Sequence, residues 1–199
     1  AAELVRFKVD VIVAAGATEI RAAREATATV PIVMIRGGDP VGSGFVASLA
    51  RPGGNITGLA ILRAELSGKR LELLKEIVPK LSRVAVFASS GSAEYALVLK
   101  EIEIAAGPLG LKLQSLNIQS PKDFETAFQA AANERADAVL FRVRGPLLSP
   151  HRTEVAALAV KSRLPAIYER AEEVEAGGLM SYGVNDNDLY RRAATYVDK

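Results

Sequence analysis

The chain has 199 residues, 49% of them hydrophobic and 24% charged, and its 25 basic and 23 acidic side chains leave a formal net charge of +2. Such a composition builds a core and is too apolar for disorder, while the near balance of charge gives no electrostatic footprint for nucleic acid. No apolar run approaches the roughly 18 residues of a membrane-spanning helix, and the absence of cysteine excludes disulfides, thiol catalysis and cysteine-held metals together.

In chain order, Ala1-Ala2-Glu3-Leu4-Val5 reads as the end of a helix. Residues 9–14 form an apolar, β-branched run that predicts a buried parallel strand. Residues 18–27 are helical in composition, and residues 31–35 form the next strand, stopped by Gly37-Gly38-Asp39-Pro40. Residues 45–50 predict a short helix ended by Arg51-Pro52-Gly53-Gly54, and 56–62 an extended segment. Ser67 is expected to cap a helix whose apolar face is Leu71, Leu74, Ile77 and Val78 and which Pro79 stops.

Residues 83–88 predict a strand followed by Ser89-Ser90-Gly91-Ser92, then a helix over 93–106 closed by Gly107-Pro108. Residues 112–118 alternate as a half-exposed strand, and Ser120-Pro121 opens a helix with Phe124, Ala127, Phe128 and Ala131 inward. Residues 137–143 are a strand, Ser149-Pro150 starts a helix, 166–168 and 179–182 are the last strands, and Asn185 with Asp188 caps a terminal helix. That helix has no stop signal, so both ends look cut and the sequence is expected to be the middle of a longer protein.

Strands alternating with helices predict an α/β fold with parallel sheets. The pattern also repeats. Lys8-Val9-Asp10-Val11-Ile12-Val13 and Val30-Pro31-Ile32-Val33 are echoed by Ala136-Asp137-Ala138-Val139-Leu140 and Leu164-Pro165-Ala166-Ile167, and each copy is followed by a Gly-Gly pair. The repeat predicts two similar lobes and a cleft between them, and a cleft is a binding site by default. In parallel sheets ligands sit beyond the carboxyl ends of strands. That rule selects Gly16, Ala17, Thr18, Asp39, Ser89, Ser90, Arg142, Arg144, Tyr168, Glu169 and Tyr182 as candidates.

The chemistry available to them is that of binding. His151 is the only histidine and no acidic cluster has ligand spacing, so neither a metal nor a Ser-His-Asp system is expected. Residues 37–44 are glycine-rich but fit neither the dinucleotide fingerprint nor the P-loop, which argues against a nucleotide-dependent enzyme. Small hydroxyl residues and helix-start amides at Thr18 and Ser89-Ser90 suit a carboxylate. Asp39 and Glu169 suit an ammonium group, Arg142 or Arg144 a carboxylate clamp, and Tyr168 or Tyr182 either a ring over a ligand or core packing.

Gly38-Asp39-Pro40-Val41, then Ala47-Ser48-Leu49-Ala50-Arg51-Pro52-Gly53-Gly54-Asn55-Ile56-Thr57-Gly58 and Glu65-Leu66-Ser67-Gly68-Lys69-Arg70-Leu71-Glu72-Leu73-Leu74, carry a family resemblance. Leu164-Pro165-Ala166-Ile167-Tyr168 and Glu175-Ala176-Gly177-Gly178-Leu179-Met180-Ser181-Tyr182-Gly183 extend it over nearly the whole chain. These strings resemble the solute-binding proteins of an ABC-importer group, some of whose members bind tryptophan or related aromatic amino acids.

The resemblance implies a type I periplasmic-binding-protein fold of two Rossmann-like lobes, here lacking the first strands and the C-terminal segment. Residues 1–62 would be lobe one, with helix 185–199 returning to it, and residues 63–184 lobe two. It implies a protein that is not an enzyme, needs no cofactor, and is periplasmic or exported and membrane-associated. It would close by hinge motion on an amino acid or carboxylate and serve an ABC permease in the membrane. The alternative is a ligand-sensing domain of a receptor or regulator with the same fold. Ser89-Ser90-Gly91 and Arg142-Val143-Arg144-Gly145-Pro146 depart from the turns usual in the group, and the extra arginine argues for a more acidic solute.

Overall fold

The computed structural model describes residues 1–61, 63–89, 94–143 and 145–198. The chain runs α1 (Ala2–Arg6), β1 (Ile12–Ala15), α2 (Ala17–Ala26), β2 (Ile32–Ile35), β3 (Ile56–Leu59), α3 (Arg63–Ile77), β4 (Arg83–Ala88) and α4 (Glu94–Leu109). It continues through β5 (Lys112–Asn117), α5 (Asp123–Asn133), β6 (Ala138–Arg142), α6 (Arg152–Lys161), β7 (Ala166–Tyr168), α7 (Ala171–Glu175), β8 (Met180–Ser181) and α8 (Asp186–Val197). Two short 3-10 turns, Gly145–Leu147 and Ser149–His151, lie between β6 and α6. The elements divide into two compact units, Ala1–Arg63 with Val184–Lys199, and Ala64–Gly183.

Unit 1 is a three-stranded parallel sheet in the order β1-β2-β3. β2 is central and all four of its residues are buried, because α2 lies against β1 and β2 while α8 packs on β2 and β3. One core holds Ile12, Ala14, Ile32, Met34 and Ile56 with Ile20 and Ala23 of α2 and Phe45 and Val46 of the long loop. The short helix expected over 45–50 does not form. The amides of Phe45 and Val46 both donate to the Pro40 carbonyl, Ala47 donates to the Pro52 carbonyl, and the Ser48 hydroxyl accepts from the Arg51 amide. Those bonds hold the segment as an irregular loop, and the Arg51 amide, which a helix would have turned back to the Ala47 carbonyl, is taken by the Ser48 hydroxyl.

Unit 2 is a five-stranded parallel sheet ordered β5-β4-β6-β7-β8. Side chains alternate across it with the two-residue period of a strand. Val139, Phe141, Ala85, Phe87 and Ala166 face α5 and α6, whereas Ala138, Leu140, Val84, Val86 and Ile167 face α3 and α4. On the first face the Phe87 ring meets Phe128 and Phe141 edge-on at 4.9 and 5.1 Å, the arrangement favoured by ring quadrupoles. Burying each such ring or leucine is worth about 1.5–3 kcal/mol. β5 is an edge strand and is half exposed as expected from sequence, but its burial does not alternate, and its buried residue is Gln114 rather than an apolar one.

Ser67, expected to cap α3, lies inside it instead. The helix starts at Arg63, and Ser67, Arg70, Leu71 and Leu74 form one fully buried stripe. Ile77, expected on the apolar face, is half exposed. At the last helix Asn185 is the cap as expected, its Oδ1 accepting the Asp188 amide at 3.1 Å.

Candidate functional site

The carboxyl ends of the strands are the places to assess in each unit. In unit 1, β1 ends into Gly16, whose amide donates to the Ile35 carbonyl at 2.9 Å, so this amide is committed to the sheet. Ala17 and Thr18 follow as the exposed first residues of α2. β2 ends into Arg36, whose guanidinium lies 3.6 Å from the Asp186 carboxylate at the start of α8. Three residues on, Asp39 is exposed and its Oδ1 accepts the amides of Val41 and Gly42 at 3.1 and 2.9 Å. Those bonds fix the carboxylate in a tight turn, with Oδ2 lying over Gly42, where a Cβ would stand 2.2 Å from it.

A groove of about 450 Å³ runs along β3 in the same unit, walled by Met34, Val46, Leu49, Pro52, Leu59 and Tyr196. Its volume is within the range of small-molecule sites. Sequence reasoning did not find it, because its walls come from β2, β3, the long loop and α8.

In unit 2 the end of β6 is Arg142, in register with Ala88, so Ser89 follows β4 at the same end of the sheet. Ser90 and Arg144 lie outside the described residues. Arg142 is buried, and its guanidinium meets the carboxylate of Glu169, the residue after β7. The Arg70 guanidinium lies 3.6 Å from the same carboxylate oxygen, and its Nε–H donates to the Tyr182 carbonyl at 2.6 Å. The structure thus brings Arg142, Glu169 and the Tyr182 backbone together, with Arg70 completing the cluster. Two guanidinium groups face one carboxylate, all three side chains at most 7% exposed.

Arg70 was not foreseen, although a signal was present. It falls on the spacing Ser67, Arg70, Leu71, Leu74, which puts it on the buried face of α3. A second buried carboxylate, Glu173 of α7, pairs with Arg152 at 3.2 Å and accepts the Arg170 amide at 3.1 Å. Between the two clusters is a cavity of about 20 Å³, the size of one water, lined by Glu169, Glu173, Arg152, Ser149 and Phe141 among others.

Tyr168 belongs to the core, 1% exposed and stacked on Phe141, whereas the Tyr182 side chain is partly exposed. His151 is partly exposed, with its Nδ1 2.9 Å from a Glu154 oxygen. Among the described residues no group of His, Asp or Glu could hold a metal, and no helix is long and apolar enough to cross a membrane.

Parallel α/β units of this kind are shared with solved structures of the type I periplasmic-binding class. A conserved domain protein from Vibrio cholerae is 27% identical, with a TM-score of 0.77 over 99% of this chain and 65% of that one. An ABC domain from Streptococcus pneumoniae, solved in complex with L-Trp, is 22% identical, with a TM-score of 0.73 over 99% and 65% of the two chains. The family model described as ABC transporter substrate binding protein matches residues 1–199, and the chain belongs to that family. The tyrosine-binding protein of Clostridioides difficile is 26% identical over 193 residues, which is 97% of this chain and 55% of that relative. This chain therefore spans a little over half of the curated relative it matches.

Proposed function

We propose that this protein captures a small amino-acid-like or carboxylate solute for an ABC importer, and that it binds its solute without transforming it. The observation that carries the reading is the family match along the whole chain. A tyrosine-binding relative and an L-Trp-bound structure make aromatic amino acids the first solutes to test.

The side chains support a division of labour. In unit 1 the exposed Thr18 at the start of α2 offers a hydroxyl suited to a carboxylate, and in unit 2 Ser89 follows β4 at the end of the sheet where Arg142 closes β6. Glu169 is already engaged by two guanidinium groups, so the exposed Asp39 is the better partner for a solute ammonium. The protein is proposed to be exported from a signal-peptide-bearing precursor, to work at the outer side of the membrane, and to deliver its solute to an ABC permease.

The test is thermal unfolding against L-tyrosine, L-tryptophan, L-leucine and the deaminated and decarboxylated analogue of each. A solute at a hundred times its dissociation constant adds about 2.7 kcal/mol of stability. A clear shift with an aromatic amino acid is the expected result. A folded protein that shifts with none of the panel overturns the amino-acid reading.

A further inference from the structure

The amino end of the unit 2 sheet, opposite the strand ends considered above, gathers positive charge. Lys112 opens β5 in register with Arg83 of β4, the Asp137 amide before β6 donates to the Arg83 carbonyl, and the Val139 amide of β6 donates to the Pro165 carbonyl before β7. The starts of β5, β4, β6 and β7 therefore lie side by side, with neighbouring strands about 4.8 Å apart. α3, α5 and α6 bring their carboxyl ends to this row, with Lys80, Arg135 and Arg163 just beyond them. Lys80, Lys112, Arg135 and Arg163 are exposed, and among the described residues none of these four side chains has an ion pair or a hydrogen bond. The exposed acids at this end are Glu76, Glu134 and Glu175, and two further lysines, Lys75 and Lys161, offset most of their charge. Asp137 is spent on the amides of Ser82 and Arg83.

Arg135 and Arg163 occupy backbone positions that favour glycine. Each follows a helix, with φ of +58° and +54°, the left-handed cap that Gly110 supplies after α4 at +68°. The dipoles of α5 and α6 favour a positive charge near their carboxyl ends, but a basic residue in the last turn would serve without the strained backbone. Three apolar side chains also stand out at this end, and helix dipoles give no reason for them. Ile77, the last residue of α3, is 51% exposed, Val160 in the last turn of α6 72%, and Leu179 just before β8 56%.

We propose that this end of unit 2 docks on the surface of an anionic phospholipid bilayer, its lysines and arginines against the headgroups and its apolar side chains at the acyl boundary. Basic residues interspersed with exposed apolar ones are the chemistry of a membrane interface, whereas a soluble polyanion would use the charges and leave the apolar groups in water. A basic residue close to an anionic leaflet strengthens attachment about fivefold. Four unpaired charges together give an attachment that is reversible and weakened by salt. This inference concerns unit 2 alone and stands apart from the identity of the solute.

The experiment is co-sedimentation of the whole chain with vesicles of phosphatidylcholine containing about one-third phosphatidylglycerol, and with vesicles of phosphatidylcholine alone, in about 0.1 M salt. The wild type is expected to bind the mixed vesicles at least tenfold more tightly than the neutral ones, and to lose at least tenfold in about 1 M salt, where charges reach only about 3 Å. Arg135→Gly combined with Arg163→Gly removes two charges at positions that suit glycine, and is expected to weaken binding at least tenfold. Should that pair not fold, Lys80→Gln combined with Lys112→Gln carries the same expectation. Lys100→Gln combined with Lys122→Gln lowers the net charge equally, at exposed sites midway along α4 and at the opposite end of the unit, and is expected to leave binding within about twofold. Val160→Gln combined with Leu179→Gln is expected to weaken vesicle binding at least threefold while leaving retention on a cation-exchange resin unchanged. A wild type that does not prefer the mixed vesicles overturns the proposal. So does an equal loss in the Lys100 and Lys122 pair, which would make net charge the cause. Vesicle binding untouched by the Val160 and Leu179 pair also overturns it, since the surface would then be one for soluble polyanions.

Discussion

Tyr168 lies on Phe141 with ring centroids 4.9 Å apart and planes at 25°, and its buried hydroxyl has no hydrogen-bond partner among the described residues. The ring is well placed and the oxygen is not. A buried hydroxyl without a partner costs about 1–3 kcal/mol of desolvation, so Tyr168→Phe is expected to raise stability, by about 1 kcal/mol in urea unfolding. Burial first, and the negative charge of Glu173 second, push the phenol above its ordinary range. Because the folded state resists ionisation, this contribution is complete below the unfolded tyrosine value of about 10 and is lost as pH rises beyond it. Tyr168→Phe should flatten that alkaline loss, which urea titrations at a series of pH values will check.

Glu169 faces two buried guanidinium groups, and its removal should be costly for that reason. Glu169→Gln leaves Arg70 and Arg142 without their shared counter-charge in a site closed to water, at about 3 kcal/mol or more. The Lys69–Glu72 pair has good geometry at 3.0 Å but sits on the surface, where water and salt screen it. Glu72→Gln should therefore leave the urea midpoint unmoved. Equal effects of the two substitutions would show that the Glu169 cluster is hydrated.

What the sequence disclosed and what it hid divide along physical lines. β4 and β7 have the bounds expected, since strands covered on both faces are written as unbroken apolar runs between turns. Asn185 was legible as a cap because its partner is three residues away. The loop over 45–50 misled because Phe45 and Val46 are apolar and helix-compatible, and the carbonyl that captures both amides belongs to Pro40, outside the stretch. α7 has five residues and too few apolar positions to show a period. Arg142 and Glu169 were selected one by one from strand ends. Their pairing with each other and with Arg70 was not legible, because it joins elements that meet only in the fold; Arg70 and Tyr182 are 112 residues apart.

Asp39 is the candidate whose role binding experiments can decide. Its carboxylate is exposed and its turn is held by backbone amides, so Asp39→Asn keeps the amide acceptor while removing the charge. If it receives a solute ammonium, this change weakens binding of the responding amino acid tenfold or more, as expected for a charged hydrogen bond worth about 1.5–3 kcal/mol. Binding of the deaminated analogue should be unaffected. Calorimetric titration of both solutes separates the two, and equal affinities for the amino acid in both proteins would remove Asp39 from the site.

Asp137 ties the start of β6 to the start of β4, its Oδ2 accepting the amides of Ser82 and Arg83, each at 2.9 Å, and the Ser82 hydroxyl at 3.0 Å. Burial works against its charge, but those three donors and the Arg83 charge outweigh it and hold the carboxyl below its ordinary range. A depressed folded value gives stability that is present above the unfolded value of about 3.9 and is lost as pH falls through the folded one. Asp137→Ala is expected to cost about 1–2 kcal/mol at neutral pH, given its partial exposure. The variant should also lose less on acidification than the wild type, and parallel acid limbs would show that the carboxylate is not held this way.

Gly58 is where β3 admits no side chain. Its φ is +133°, and a Cβ would stand 2.1 Å from the Met34 carbonyl oxygen and 2.8 Å from the Met34 nitrogen, the residue it faces in register on β2. Neither atom can move without breaking the sheet, because both belong to the backbone of the central strand. Gly58→Ala therefore combines a disfavoured backbone conformation with a collision, and should cost more than about 3 kcal/mol. Gly54, close by in sequence, has open space around a Cβ and no positive φ. Gly54→Ala should be neutral or slightly stabilising, since it restricts the unfolded chain. The pair separates strain from a general intolerance of this loop. Exchange of β2 amides should rise in Gly58→Ala alone, while β4 and β6 of unit 2 keep their protection.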